Sequence, residues 1–488
     1  MVTDRDAHAD VVEPVRAFAL RNAAWLLPLA FALLVTLLGQ WWSPEAFDAD
    51  EGINLGKGAL VAAGFDPYAD IWNDQPPVLT YILAAMQHIF PWSTGAARVT
   101  ILAFACLMLH AVFRLVERST GRAEAVTAVV LLGTAPMVWR LSISVMIGLP
   151  AIALAVTAFA IVYRRDRAAP WRAVAAGLVF ALSLQTKLFT AAVLPAFLLV
   201  VWLAGDDARL RRRLAMVAAA LAATAGGFVA IALVSGEPFL AQLVNPHVAR
   251  EVRSDYAFIA TAGHFAEFLA QQPFVLIAAL LALTPVGRRR SGLRAAWLVW
   301  IGVTAVVLLG HTPLRYHHML LLVVPMACLG GEASWRVLEA AWPHRRGLAR
   351  YRVALAVIVP VVAVAYLALL LRPFHDDDTP AVNEAAERLA AYAAEDPWAA
   401  TDQPFDAFAA GLLVPPELVV YSIKRIETRN LTPEMLVAVI AARQPGQVML
   451  RRSHVNRTVR TYLDRHYVRV DPSRLHYVRP DLAGEAPG

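Results

Sequence analysis

Apolar residues run along this chain in stretches too long for the interior of a soluble domain. The first, Ala23 to Trp42, follows Arg16 and Arg21. It exceeds a signal-peptide core and no small-residue cleavage site follows, so it reads as a retained anchor. Further runs lie at about 98–116, 123–141, 143–163, 172–186, 188–204, 214–234, 273–287, 295–310, 318–337 and 353–372. A helix needs about 20 apolar residues to cross the hydrocarbon core, which these runs reach or approach. Pro76 to Phe90 is different: it is short, opens with Pro76-Pro77 and ends at Pro91, which fits an interfacial helix. The pattern predicts an all-α polytopic membrane protein of eleven spans. After Arg372 it changes. Helical periodicity over 382–395, 432–444 and 455–465 alternates with the strand-like segments WAATD, QVMLR and YVRV, predicting a small C-terminal α/β domain.

Composition and charge set the orientation. Hydrophobic residues make up 58% of the 488 and charged residues only 17%, against about 25% in an average soluble domain. The net charge of +6 would suit nucleic acid if it formed one basic surface. Instead the arginines come in clusters between apolar runs: Arg114, Arg118 and Arg122; Arg164, Arg165, Arg167 and Arg172; Arg209 with Arg211 to Arg213; Arg288 to Arg290 with Arg294; and Arg345, Arg346, Arg350 and Arg352. Every second connection is Arg-rich, the positive-inside signature, so nucleic acid is not an expected partner. The expected division is a cytoplasmic N-terminus over 1–22, a membrane domain over 23–372 with an external loop at 43–97, and an extracytoplasmic domain over 373–488. Cys106 and Cys328 both lie inside apolar runs and imply neither a disulfide framework nor a thiolate metal site.

Candidate chemistry falls on the external side of this topology. The first loop places Asp48, Asp50 and Glu51 just beyond the first span, then Asp66, Asp70 and Asp74 before Gln75-Pro76-Pro77. Such carboxylates either solvate a loop or supply a general base and an oxygen ligand for a divalent cation. Lys187 interrupts two apolar runs; only three of the 44 basic residues are Lys, namely Lys57, Lys187 and Lys424. A Lys at membrane depth either snorkels to the headgroups or marks a functional site. Arg315, Tyr316, His317 and His318 form an external turn in which adjacent imidazoles should diverge, leaving at least one at the surface. His247 lies in a second external loop, about 235–272. Acidic and cationic groups together at a lipid boundary suit an amphiphilic phosphate: cations hold the head while the tail stays in the bilayer.

These motifs resemble those of the GT-C polyprenyl-phosphate-sugar glycosyltransferases, which include the protein O-mannosyltransferases of glycosyltransferase family 39 and the lipid A aminoarabinose transferases. Asp50-Glu51 matches the acidic pair after the first helix, Asp74-Gln75-Pro76-Pro77 the acidic–Lys–Pro–Pro turn, and Thr186-Lys187 the Thr-Lys opening a later helix. Arg315 to Gly331 loosely matches the external turn leading to a helix that ends in Gly-Gly. The resemblance implies a GT-C fold and transfer of a sugar, with inversion, from a polyprenyl-phosphate donor to a hydroxyl of an envelope glycan, lipid or protein. It implies Asp50 as catalytic carboxylate with Glu51 as its partner, Asp74 as a metal-binding carboxylate, and Lys187 as a contact to the lipid phosphate. Arg315, Tyr316, Gln75 and His247 complete the expected substrate-binding set. Two positions depart from the pattern: Gln75 replaces a common Lys, and Met146-Ile147-Gly148 precedes Pro150 with no acidic residue. Both leave open a different donor-phosphate geometry or an enzyme without a metal. A translocase for lipid-linked sugars, or a non-catalytic envelope-assembly partner in the plasma (inner) membrane, is the alternative; a translocase has no need of a base beside the phosphate.

Overall fold

The computed structural model describes residues 22–39, 42, 46–164, 169–205, 209–236, 239, 241–243, 258–285, 287, 292–311, 313–341, 366, 380–451, 456–471 and 475–485. Most of them are helical. Helix α1 (Asn22–Leu38) is followed by α2 (Ala49–Ala62), α3 (Val78–Ile89) and α4 (Thr94–Ser119). Among the described residues, Thr94–Ser119, Leu210–Val234 and Tyr316–Val337 are each long and apolar enough to cross a membrane, and two bent pairs raise that number to five. The stretch expected as one span at 123–141 is such a pair: Arg122–Gly133 and Pro136–Ser142 meet at 68°. The second pair, Phe258–Ala270 and Pro273–Leu281, bends by 91° at the start of the span expected over 273–287. A proline opens the second member of each, and the missing N–H and ring clash forbid continuation of the preceding helix. The last expected span, 353–372, lies outside the described residues apart from Tyr366.

Lipid replaces water around this bundle, so its apolar surface is turned outward. Trp25, Leu29, Leu33 and Leu37 form an exposed row at helical spacing on α1, and Leu210, Leu214 and Leu221 do the same on Leu210–Val234. Inside, Phe159, Phe180, Phe197, Trp297 and Trp300 pack ring against ring in one aromatic cluster. Two clustered arginines also close helix ends: Arg118 donates to the carbonyls of Ala160 and Tyr163, Arg294 to those of Ala282 and Gly287.

The C-terminal α/β domain carries a four-stranded sheet of β1 (Ala399–Thr401), β2 (Gln447–Met449), β3 (Val468–Asp471) and β4 (His476–Val478), ordered β1-β2-β4-β3. β1 and β2 are parallel; β4 is antiparallel to both neighbours. β4 had no counterpart in the sequence pattern. α2 lies between this domain and the bundle. Leu55 and Ala59 join the membrane core, whereas Ile53 and Leu60 join the core of the α/β domain. Glycines permit this double contact: a Cβ on Gly52 would lie 2.3 Å from the Phe405 backbone nitrogen, one on Gly56 2.7 Å from Val419, and one on Gly58 2.8 Å from Leu83 of α3.

Candidate functional site

The site starts at the N-terminus of α2. Asp48 caps the helix, its carboxylate accepting from the Asp50 N–H at 3.0 Å. The next two acidic residues part company at once. Glu51 is fully buried, and its two oxygens accept from Arg98 Nε and Nη2, both at 2.9 Å, from the Phe47 N–H at 2.9 Å and from the Val145 N–H at 3.1 Å. Arg98 in turn lies over the Phe47 ring. With four donors committed, the Glu51 carboxylate ties α2 to α4 and to the segment at Val145, a tie that Asn54 doubles by donating to the Val145 carbonyl. It fits support and is not placed to carry a proton. Asp50, one residue earlier, keeps an exposed side chain.

The loop after α2 builds the adjoining wall. Lys57, buried on α2, donates to Asn73 Oδ1 at 3.1 Å, which also accepts from the Gln75 N–H. Gln242 clamps this loop from outside it, accepting from the Asn73 N–H and donating to the Tyr68 carbonyl. Tyr68 donates to the Gln75 carbonyl at 2.7 Å, so Gln75 acts in the wall through its backbone. Asp74 is buried and its carboxylate meets Lys424 of the α/β domain at 3.4 Å.

A third element completes the enclosure. Lys187 is buried at the N-cap of the 3-10 turn Leu188–Val193, above the Phe189 ring. Its ammonium lies 3.7 Å from where a Cβ on Gly148 would stand. With Gly148, Ile152, Phe189, Thr190, His317 and His318 it lines a small pocket. His317 and His318 therefore do not diverge to the surface as expected: His318 is buried and His317 half-buried, because the turn Tyr316–Met319 is a 3-10 helix whose neighbouring rings, 4.4 Å apart, both wall the pocket. Tyr316 is drawn toward other partners, its hydroxyl accepting from Gln272 at 3.3 Å and its ring lying under Arg140. His247 lies outside the described residues.

Electrostatics join the three walls. Enclosure by protein pushes the Asp50 carboxyl above the usual range although its side chain stays open to water; Lys187 opposes this most, Asp74 adds to it, and Lys57 and Arg315 oppose it as well. Asp48 is pushed up to about 6 by burial and by Asp50, with Arg140 pulling the other way. Burial lowers the Lys57 ammonium against the pull of Asp74 and Asp50. So the structure brings Asp50, Asp74, Lys187 and Arg315 into one electrostatic neighbourhood, and adds Lys57 and Lys424. The sequence reading passed over both, although the scarcity of Lys in an Arg-rich chain marks all three.

The surroundings of Asp74 do not fit a divalent cation. Among the described residues no group of three His, Cys, Asp or Glu side chains could hold a metal. The Asp74 carboxylate already faces an ammonium, and the neighbouring Asn73 oxygen already accepts twice, against the six or more oxygens that calcium takes or the octahedron of magnesium.

Residues 74–235 match the family described as dolichyl-phosphate-mannose-protein mannosyltransferase. No curated protein sequence matches the chain. Among solved structures, it is similar to ArnT from Cupriavidus metallidurans bound to undecaprenyl phosphate, with TM-score 0.64, 15% identity, and 96% of this chain and 99% of that one covered. It is also similar to the oligosaccharyltransferase AglB from Archaeoglobus fulgidus in complex with an inhibitory peptide and a dolichol-phosphate (TM-score 0.52, 12% identity, 96% and 75% covered). The Archaeoglobus fulgidus enzyme in complex with Zn and sulfate matches with TM-score 0.51 and 14% identity over 93% and 73% of the two chains. The matched segment, the near end-to-end likeness to ArnT and the order of the acidic pair, the Pro-Pro turn and the Thr-Lys along the helices agree on one fold, that of the GT-C superfamily of polyprenyl-phosphate-sugar glycosyltransferases.

Proposed function

We propose that the chain moves one sugar from a polyprenyl-phosphate donor to a hydroxyl of an envelope glycan, lipid or protein on the external face of the plasma (inner) membrane, where the C-terminal domain also lies. Asp50 takes the acceptor hydroxyl proton as its oxygen attacks the anomeric carbon. The bond from that carbon to the phosphate oxygen breaks, and polyprenyl phosphate leaves with the electron pair. A single displacement of this kind inverts the anomeric centre.

Lys187 and Arg315 hold the departing phosphate, where charge builds up in the transition state and fixed cations stabilise it most. The segment before Pro150 carries no carboxylate, and Gly148 stands beside the Lys187 ammonium, which leaves that charge for an anionic ligand. Glu51 and Arg98 keep α2 in place, and Lys57 with Asp74 flanks the base. Undecaprenyl phosphate in the ArnT complex suggests the class of lipid carrier.

The observation that carries this reading is Asp50 itself: an open carboxylate with a raised pKa, acted on most strongly among its cationic neighbours by a buried ammonium. A base near neutrality needs such an elevation. Replacing Asp50 with Asn should reduce transfer about 10²–10⁴-fold, the usual worth of a general base, with thermal unfolding and undecaprenyl phosphate binding unchanged. Radiolabelled-sugar transfer in reconstituted vesicles reads it; an Asp50→Asn protein with normal turnover removes Asp50 from the chemistry.

A further inference from the structure

The three lysines come from three distant parts of the sequence: Lys57 from α2, Lys187 from the bundle and Lys424 from the C-terminal domain. All three act on the pair formed by Asp50 and Asp74. Lys424 reaches Asp74 across 350 residues of chain and keeps part of its side chain open to solvent. Its place is fixed by its neighbour. Arg425 is buried with its guanidinium 4.4 Å over the Trp72 ring, and donates to the carbonyls of Glu417, Val420 and Asn430. Ser422 caps the short turn by accepting from the Arg425 N–H. Trp72–Arg425 and Asp74–Lys424 thus form two adjacent contacts between the first loop and the C-terminal domain.

Resting on the function proposed above, we propose that Lys424, with Lys57, is the resident counter-cation of Asp74, held in the donor site by the C-terminal domain where a divalent metal would otherwise be required. The chemistry of the wall supports this. Asp74 is the buried carboxylate of that loop, and the Asn73 amide turns its oxygen to Lys57 while its buried Nδ2 finds no partner among the described residues. That wall offers donors and ammonium groups, which attract an anion and repel a metal. A bare Asp74 would repel the donor phosphate, and Lys424 cancels that charge. A Lys suits the task, being a compact point charge on a flexible stem. The C-terminal domain is then a working part of the site: Lys424 is a positioning residue that acts through Asp74.

The test uses the full chain in lipid nanodiscs, with undecaprenyl phosphate as the probe. Lys424→Met should weaken binding about tenfold, as expected when one uncompensated charge stands several ångströms from an anion at intermediate dielectric. Lys424→Arg should stay within about twofold of wild type, since it keeps the charge. The double variant Lys424→Met/Asp74→Asn should recover to within about twofold, because removing the negative charge removes the need for its partner. EDTA should leave wild-type affinity as it is, and zinc bound per chain should not differ between wild type and Asp74→Asn. The inference is overturned if Lys424→Met binds normally, if the double variant fails to recover, if EDTA weakens the wild type as much as Lys424→Met does, or if one zinc per chain is lost in Asp74→Asn. Lys187→Met separates this from the underlying reading. Weakened binding there with normal binding in Lys424→Met overturns only the role of Lys424, whereas normal binding in Lys187→Met overturns the lipid-phosphate site itself.

Discussion

The pocket around Glu51 and the cluster around Asp50 begin one residue apart and end in opposite electrostatic states. Glu51 has four committed donors, a bidentate guanidinium among them, and is closed to solvent. Asp50 is open, pushed up by enclosure, and surrounded by the cations Lys187, Lys57 and Arg315. Where every lone pair is satisfied, the charge fixes the backbone and has nothing left to give. Where the cations stand off from the carboxylate, as Lys187 and Arg315 do from Asp50, their charge is available to an anionic ligand. The helical period sets this division: a step of about 100° between neighbours turns Glu51 into the protein and leaves Asp50 facing out.

Breaking the satisfied side should produce the largest change in stability. Arg98→Met leaves Glu51 buried and unpaired, which costs about 3–5 kcal/mol and should show as a marked fall in Tm in detergent. The α2 contact with the C-terminal domain comes next. Gly52→Ala puts a Cβ 2.3 Å from the Phe405 backbone nitrogen, and such overpacking costs about 1–3 kcal/mol, again read by Tm. On the open side, Lys187→Met should leave Tm alone and weaken binding of undecaprenyl phosphate by about 10–100-fold, as loss of one partner from a close ionic contact does; intact affinity would break the contrast. The smallest effect is on pH. With Asp50 raised by the protein enclosing it, the active form is the carboxylate, so transfer should fall as pH drops through that raised value. The acid limb of kcat/KM should therefore lie above the ordinary carboxylate range near pH 4, and Lys187→Met should move it higher still, because Lys187 favours the ionised form.

Much of this contrast was legible in the sequence. The Asp50-Glu51 pair, the Pro-Pro turn and Lys187 stood out because acidic residues and a lone Lys are conspicuous among apolar runs. The two roles of the acidic pair were not legible, since they depend on Arg98, which lies 47 positions from Glu51 and looks like any arginine at a helix start. Lys424 was marked only by the scarcity of Lys; its partner was not, because folding brings Asp74 to it across 350 residues. The helix breaks at Pro136 and Pro273 were marked by proline, yet hydropathy runs smoothly through a bend and reads each stretch as one span. The interleaving of α2 between two cores could have been suspected from Gly52, Gly56 and Gly58, whose small size matters only where backbones approach.

The most direct measurement is a structure of the full chain with undecaprenyl phosphate bound. The phosphate is expected within hydrogen-bond reach of the Lys187 ammonium and the Arg315 guanidinium, with the Asp50 carboxylate facing it across room for one sugar. A headgroup seated away from Lys187, or separated from Asp50 by packed protein, would contradict the assignment of this cluster as the place of transfer.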